Sequence, residues 1–171
     1  MLDLSKYESL GAALREALER WPDEVCLIED DRGRERARLT YRDFQQAALP
    51  LAKALQGAGF PAGSRASIIM TNQSKWLISA YAIFYCGGVL VPLDYKLTAA
   101  EHLALLKHSQ ASVLITEHFL WRNIVAAGGV SDTSVKTVLV TEAPPNADLA
   151  GAQRWEECMG YSCKHLYPEQ S

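Results

Sequence analysis

Few side chains in this sequence are spaced for chemistry. Cys158, Cys163 and His165 stand close enough together to suggest a metal. A site needs three or four ligands, however, and their spacing is not that of a zinc finger or ribbon. They read as free thiols and an imidazole in a loose tail, and no metal ligand is expected. His102 and His108 are six residues apart, a poor spacing for a shared helical face, and both read as solvent-exposed. His118 falls near a helix start, where a structural role is the default. The stretch from Gly128 to Thr137 is the nearest imitation of a phosphate loop. It lacks the second glycine of a Walker loop and precedes a strand where such a loop should follow one, so it reads as a surface connection. Lys53 and Arg65 read as ordinary surface charges. No residue of the chain is expected to be catalytic.

The elements that must position these groups follow from periodicity. Leu10, Ala13, Leu14, Ala17, Leu18 and Trp21 share one helical face, with Arg15, Glu16, Glu19 and Arg20 opposite, until Pro22 ends the helix. Residues 25–28 and 38–41 read as strands of a hairpin around the charged turn at Gly33. Thr40 can cap a second helix to about Leu55, because its hydroxyl can accept from a free first-turn N–H and Asp43 suits the positive helix end. Pro50 lacks a donor, so a kink or break is expected at residues 47–50. Residues 66–70 read as a buried strand. Asn72 is expected to cap a helix over residues 73–85, which Gly87-Gly88 breaks before a second buried strand at 89–93. Thr98 and Glu101 form a capping-box pattern opening a helix to about His108. A strand at 112–116, a helix at 118–127, a strand at 136–141 and a last weak helix at 153–159 complete the pass. Alternation at this spacing implies right-handed crossovers and an α/β class: a layered, mostly parallel sheet with helices on both faces.

The totals narrow the classes. With 171 residues, 49% of them hydrophobic, the chain can bury a core as one domain with a loosely attached tail. A formal net charge of -3 without a basic block excludes a nucleic-acid partner as the default. The amino terminus has charges every few residues and no apolar stretch like a signal peptide or membrane span, so a cytoplasmic protein is expected. Four cysteines, irregularly placed, are too few for a secreted disulfide framework.

Three stretches, in order, carry a resemblance. Leu39-Thr40-Tyr41-Arg42-Asp43-Phe44 heads the second helix. Residues 63–76, Gly-Ser-Arg-Ala-Ser-Ile-Ile-Met-Thr-Asn-Gln-Ser-Lys-Trp, run from a strand into a helix start that includes Asn72 and Trp76. Residues 85–98 contain Gly87, Gly88, Val91-Pro92-Leu93-Asp94 and Leu97-Thr98. Together, over roughly residues 8–142, they resemble the amino-terminal subdomain of the adenylate-forming superfamily, the AMP-dependent, acyl-CoA synthetase-like ligases. Ser64, Gln73, Ser74, Lys75, Tyr85 and Tyr95 depart from the commonest family residues while the frame holds. The resemblance implies structural roles, in capping and packing, for Thr40, Tyr41, Asn72, Trp76, Gly87, Pro92, Asp94 and Thr98. Lys96 stands where several coenzyme-A-using members carry an arginine near a coenzyme A phosphate. A solvated lysine beside a helix start is the other reading of it.

What the family needs beyond these motifs is not in this sequence. Its Ser, Thr and Gly-rich loop, with backbone N–H groups that cradle phosphates and a lysine that offsets their charge, is not found here. Neither are the segments that supply adenine and ribose contacts, the magnesium-binding acid and the mobile lysine. The resemblance therefore implies ATP, magnesium and coenzyme A use for the full-length family, and none for this chain alone. The expected division is an α/β subdomain at 1–142 and a linker with an unassigned tail at 143–171. The expected function is that of an amino-terminal fragment of an acid-activating ligase, of fatty or aryl acids, not catalytic alone. The alternative is a non-catalytic regulatory or interaction module derived from such an enzyme. Expected partners are the remainder of the parent enzyme, or a second copy through an exposed apolar face.

Overall fold

The structure, a computed structural model, describes residues 3–159. An amphipathic helix α1 (Leu10–Arg20) leads into an antiparallel hairpin, β1 (Val25–Asp31) and β2 (Arg34–Thr40). Then follow α2 (Tyr41–Gly57), β3 (Arg65–Ile69), α3 (Ser74–Tyr85), β4 (Val89–Leu93), α4 (Ala99–Ser109), β5 (Val113–Glu117), α5 (His118–Ala126) and β6 (Thr137–Thr141). A two-residue strand β7 (Gln153–Arg154) and a 3-10 turn (Trp155–Cys158) close the described chain. Strands β3 to β7 form one sheet in the order β4-β3-β5-β6-β7, every neighbouring pair parallel.

The period-2 geometry of a strand sends alternate residues to opposite faces, and here each face has its own core. Ala66, Ile68, Val113, Ile115 and Leu139 pack under α2 and α3. Ile69, Leu114, Val138 and Val140 pack under α4 and α5. Helices on both faces explain why β3, β5 and β6 read as continuous apolar runs. The expected α/β sheet with helices on both faces is the observed architecture.

Several local expectations need correcting. The strand at 89–93 was expected to be buried; β4 is an edge strand with Val89 48% exposed and Pro92 exposed. An edge is where proline's missing donor is tolerated. Helix α2 runs unbroken through Pro50, because Ala47, Ala48, Leu51 and Ala52 around it are fully buried and hold the helix against the core. The weak helix at 153–159 is instead β7 and a 3-10 turn. Residues 143–159, read from sequence as linker and tail, pack into the same unit: β7 pairs with β6, and Trp155 is fully buried in the α3-side core. Cys163 and His165 lie outside the described residues.

Glycine matters most where helices and strands approach closely. A Cβ on Gly88 would sit 2.5 Å from the Phe60 ring, and one on Gly11 would sit 2.7 Å from the Phe84 carbonyl oxygen. No helix among the described residues is long and apolar enough to cross a membrane.

Candidate functional site

In open parallel sheets the connections to the two sides of the first strand diverge, leaving a crevice at the carboxyl ends where ligands bind. Here the chain leaves β3 for β4 on one side, then returns to β5 on the other, so the divergence falls between β3 and β5. The residues at that point are Thr71 to Lys75, which lead into α3, and Glu117, which ends β5.

Glu117 bridges the crevice. One of its carboxylate oxygens, Oε1, accepts from the Thr71 N–H at 2.6 Å, the Thr71 hydroxyl at 2.6 Å and the Gln73 side-chain amide at 2.9 Å. The Ser74 N–H, in the first turn of α3, donates to Glu29 of β1 at 2.8 Å. Beside it, the largely buried Lys75 ammonium pairs with Glu142 and, at 3.0 Å, with Glu156. Burial works to lower the Lys75 pKa, but Glu156 and Glu142 outweigh it and hold the ammonium above its ordinary range. Free N–H groups at a helix start attract anions, and at α3 a carboxylate of the chain itself, that of Glu29, takes the Ser74 N–H. A lysine in this turn runs against the helix dipole, which the two glutamates compensate.

The second loop of the edge follows β4. Asp94 accepts from the Lys96 N–H at 3.0 Å, while Thr98 and Glu101 complete a reciprocal capping box. The Thr98 hydroxyl and N–H hold the Glu101 carboxyl below its usual range. His102 is 1% exposed, which corrects the expectation of a solvated ring. Its Nε2 lies 2.8 Å from the Asp94 carbonyl oxygen; since a carbonyl only accepts, this nitrogen carries the proton. The ring thus ties the loop to α4.

The sequence-expected residues separate into groups. Thr40 caps α2 through a capping box with Asp43. The Tyr41 ring stands 6.5 Å from that of Trp21. Asn72 is exposed and does not cap α3: the N-cap is Gln73, and no side chain caps it. Trp76 is half-buried against the α3-side core. Gly87 adopts φ 69°, a left-handed conformation suited to glycine as the chain leaves α3. Pro92, Asp94, Lys96 and Thr98 are exposed at the carboxyl end of β4, with the Lys96 ammonium 5.7 Å from the Tyr95 ring centroid. Residues 128–136 of the segment 128–137 are a surface loop preceding β6, which Thr137 begins. His108 is exposed, as expected.

Sequence reasoning missed Glu117, Glu142 and Glu156 as a polar cluster with Lys75. The signal was Lys75 itself, a departure from the motif around it whose partners lie 67 and 81 residues away. Beside Asn72, Trp76 and the hairpin, a cleft of about 480 Å³ is lined by Leu27, Ile28 and Leu77.

The chain matches the family model described as AMP-binding enzyme over residues 14–166. It is 27% identical over 125 residues to 4-hydroxybutyrate--CoA ligase 2 of Metallosphaera sedula, covering 73% of this chain and 22% of that protein. It is 31% identical over 104 residues to 2-succinylbenzoate--CoA ligase of Bacillus licheniformis, covering 61% of this chain and 21% of that one. Among solved structures it superposes on acetoacetyl-CoA synthetase from Streptomyces lividans with a TM-score of 0.77 at 20% identity, covering 89% of this chain and 25% of that one. A benzoate CoA ligase from Burkholderia xenovorans LB400 gives a TM-score of 0.71 at 22% identity, covering 90% and 28%. The chain thus spans between 21% and 28% of the length of these relatives.

Proposed function

The chain belongs to the AMP-binding enzyme family, and from that premise we propose that it is the amino-terminal α/β portion of an AMP-forming, acid-activating ligase, inactive by itself. In the complete reaction a carboxylate attacks the α-phosphate of ATP and pyrophosphate leaves; a thiol, here taken as that of coenzyme A, then attacks the acyl carbonyl of the adenylate and AMP leaves. The observation that carries the reading is the placement of the family motifs. Residues 71–76 and 94–98 lie at the carboxyl ends of β3 and β4, and among the described residues no Gly-rich phosphate loop follows a strand of the sheet.

The described edge does not fit ATP. Its carboxylates, Glu29, Glu117, Glu142 and Glu156, outnumber the Lys75 ammonium, which two of them already engage, and the first-turn Ser74 N–H is taken. Among the described residues no group of three or more His, Cys, Asp or Glu could hold a metal ion. No step is therefore assigned to this chain. Within a longer enzyme, Lys96 is the residue this reading offers to a coenzyme A phosphate, being an exposed cation on a loop fixed by Asp94 and His102. The exposed side chains Ile28 and Leu77, which line one cleft with the half-buried Trp76, form the apolar surface offered to the remainder of the ligase or to a second copy. A cytoplasmic location is part of the same reading.

Carboxylate-dependent exchange of pyrophosphate into ATP by the 171-residue chain is expected to stay at background; exchange above background overturns the inactivity. The coding sequence downstream of Ser171 is expected to continue into a Gly-rich phosphate loop. A stop codon there favours the non-catalytic module instead.

A further inference from the structure

The chain between β6 and its described end forms a strap at the β6 edge of the sheet. It leaves β6 through Glu142, which adopts φ 59°, a left-handed conformation that costs a side-chain-bearing residue. It returns through β7, only two residues long, to the buried Trp155. Its loop is organised internally: the Arg154 guanidinium donates to the carbonyls of Ala143, Pro144 and Pro145 at 2.6 to 2.8 Å. It is tied to the rest of the fold by apolar packing, with Trp155 in one core and Ala143, Leu149 and Ala152 against the other, and by hydrogen bonds. The Trp155 N–H donates to the Ser79 hydroxyl at 2.9 Å, the Trp121 N–H donates to the Leu149 carbonyl at 2.7 Å, and β7 pairs with β6.

Lys75 draws both ends of the strap together. Its ammonium meets Glu142, where the strap departs, and Glu156, where it lands, and lies 5.8 Å from the Trp155 ring centroid. The Glu142 N–H also reaches Glu156, at 3.3 Å. Both carboxylates are more than a third exposed while the lysine side chain is 8% exposed, so the lysine is the fixed member and the glutamates the movable ones. We propose that Lys75 is a latch that holds residues 142–156 closed over the start of α3, with Glu142 as hinge, so that the strap opens as one unit while β3, β4 and β5 stay folded. The proposal uses no assignment of catalytic chemistry, so it stands or falls apart from the ligase reading.

Hydrogen–deuterium exchange on the 171-residue chain tests it. With Lys75→Met, which keeps the apolar stem and removes the charge, peptides covering 142–156 are expected to exchange about 10-fold faster, while those covering β3 and β5 change less than about 2-fold. The charge-exchanged variant Lys75→Glu, Glu142→Lys, Glu156→Lys is expected to restore protection of the strap. The latch is overturned if Lys75→Met leaves the strap unchanged, if β3 and β5 accelerate as much as the strap, or if the exchanged variant fails to restore protection. Should Lys75→Met not fold, Glu142→Gln, a change at a partly exposed position, is read by the same criteria.

Discussion

Lys75 occupies a position where two physical costs coincide: a cation in the first turn of a helix, and an ammonium largely removed from water. Both are offset by Glu142 and Glu156, which keep it charged. Because its pKa is raised in the folded state, its contribution to stability is complete below the unfolded value near 10.5 and is lost as pH rises through the folded value. Tyr81 acts in the same window, since burial pushes its pKa up to about 12 and the neutral phenol is the form the fold prefers. The Lys75 share is therefore a difference. Urea midpoints followed from pH 9 to about 12 are expected to fall more steeply for the protein than for Lys75→Met, the Tyr81 effect being common to both. Parallel curves refute the assignment.

At the scale of elements, the 3-10 turn at Trp155–Cys158 does more than its length suggests. Trp155 is fully buried among α2, α3 and β6 residues, and its N–H is the partner of the buried Ser79 hydroxyl. Trp155→Ala leaves a cavity and an unpaired hydroxyl, and is expected to cost about 3–5 kcal/mol in urea denaturation. A loss under about 1 kcal/mol shows that residues 143–159 are an appendage to the fold. Periodicity could not assign this segment, because two strand residues and one turn are too short to carry a period. The capping boxes at Thr40 and Thr98 were legible because each is closed between residues three apart. Asn72 was misassigned for a related reason: several polar residues precede α3, and which one becomes the N-cap depends on Glu117 and Glu29, which take the neighbouring N–H groups from distant parts of the chain.

At the scale of the molecule, exposed apolar side chains occur on several elements, Leu10, Val89 and Phe119 among them, and two others meet at the hairpin cleft. Val25, Ile28 and Leu77 are 46%, 50% and 44% exposed, and the last two line one cleft with Trp76. On the proposed function this surface meets the remainder of a ligase, so the chain alone is expected to self-associate through it. Sedimentation is expected to show concentration-dependent oligomers that Ile28→Glu with Leu77→Glu disperses. A protein that stays monomeric at about 100 μM, well above the micromolar range where weak contacts populate, refutes that role.

The sequence by itself determined the α/β alternation, the local caps and the family motifs, because each is written in residues a few positions apart. Only the tertiary structure decided which strand is the edge, that His102 is buried against the Asp94 carbonyl, and that Glu117, Glu142 and Glu156 converge near the start of α3. Those facts depend on strand order and on contacts across dozens of residues. A parallel sheet sets them by bringing the carboxyl ends of strands together whatever their distance along the chain.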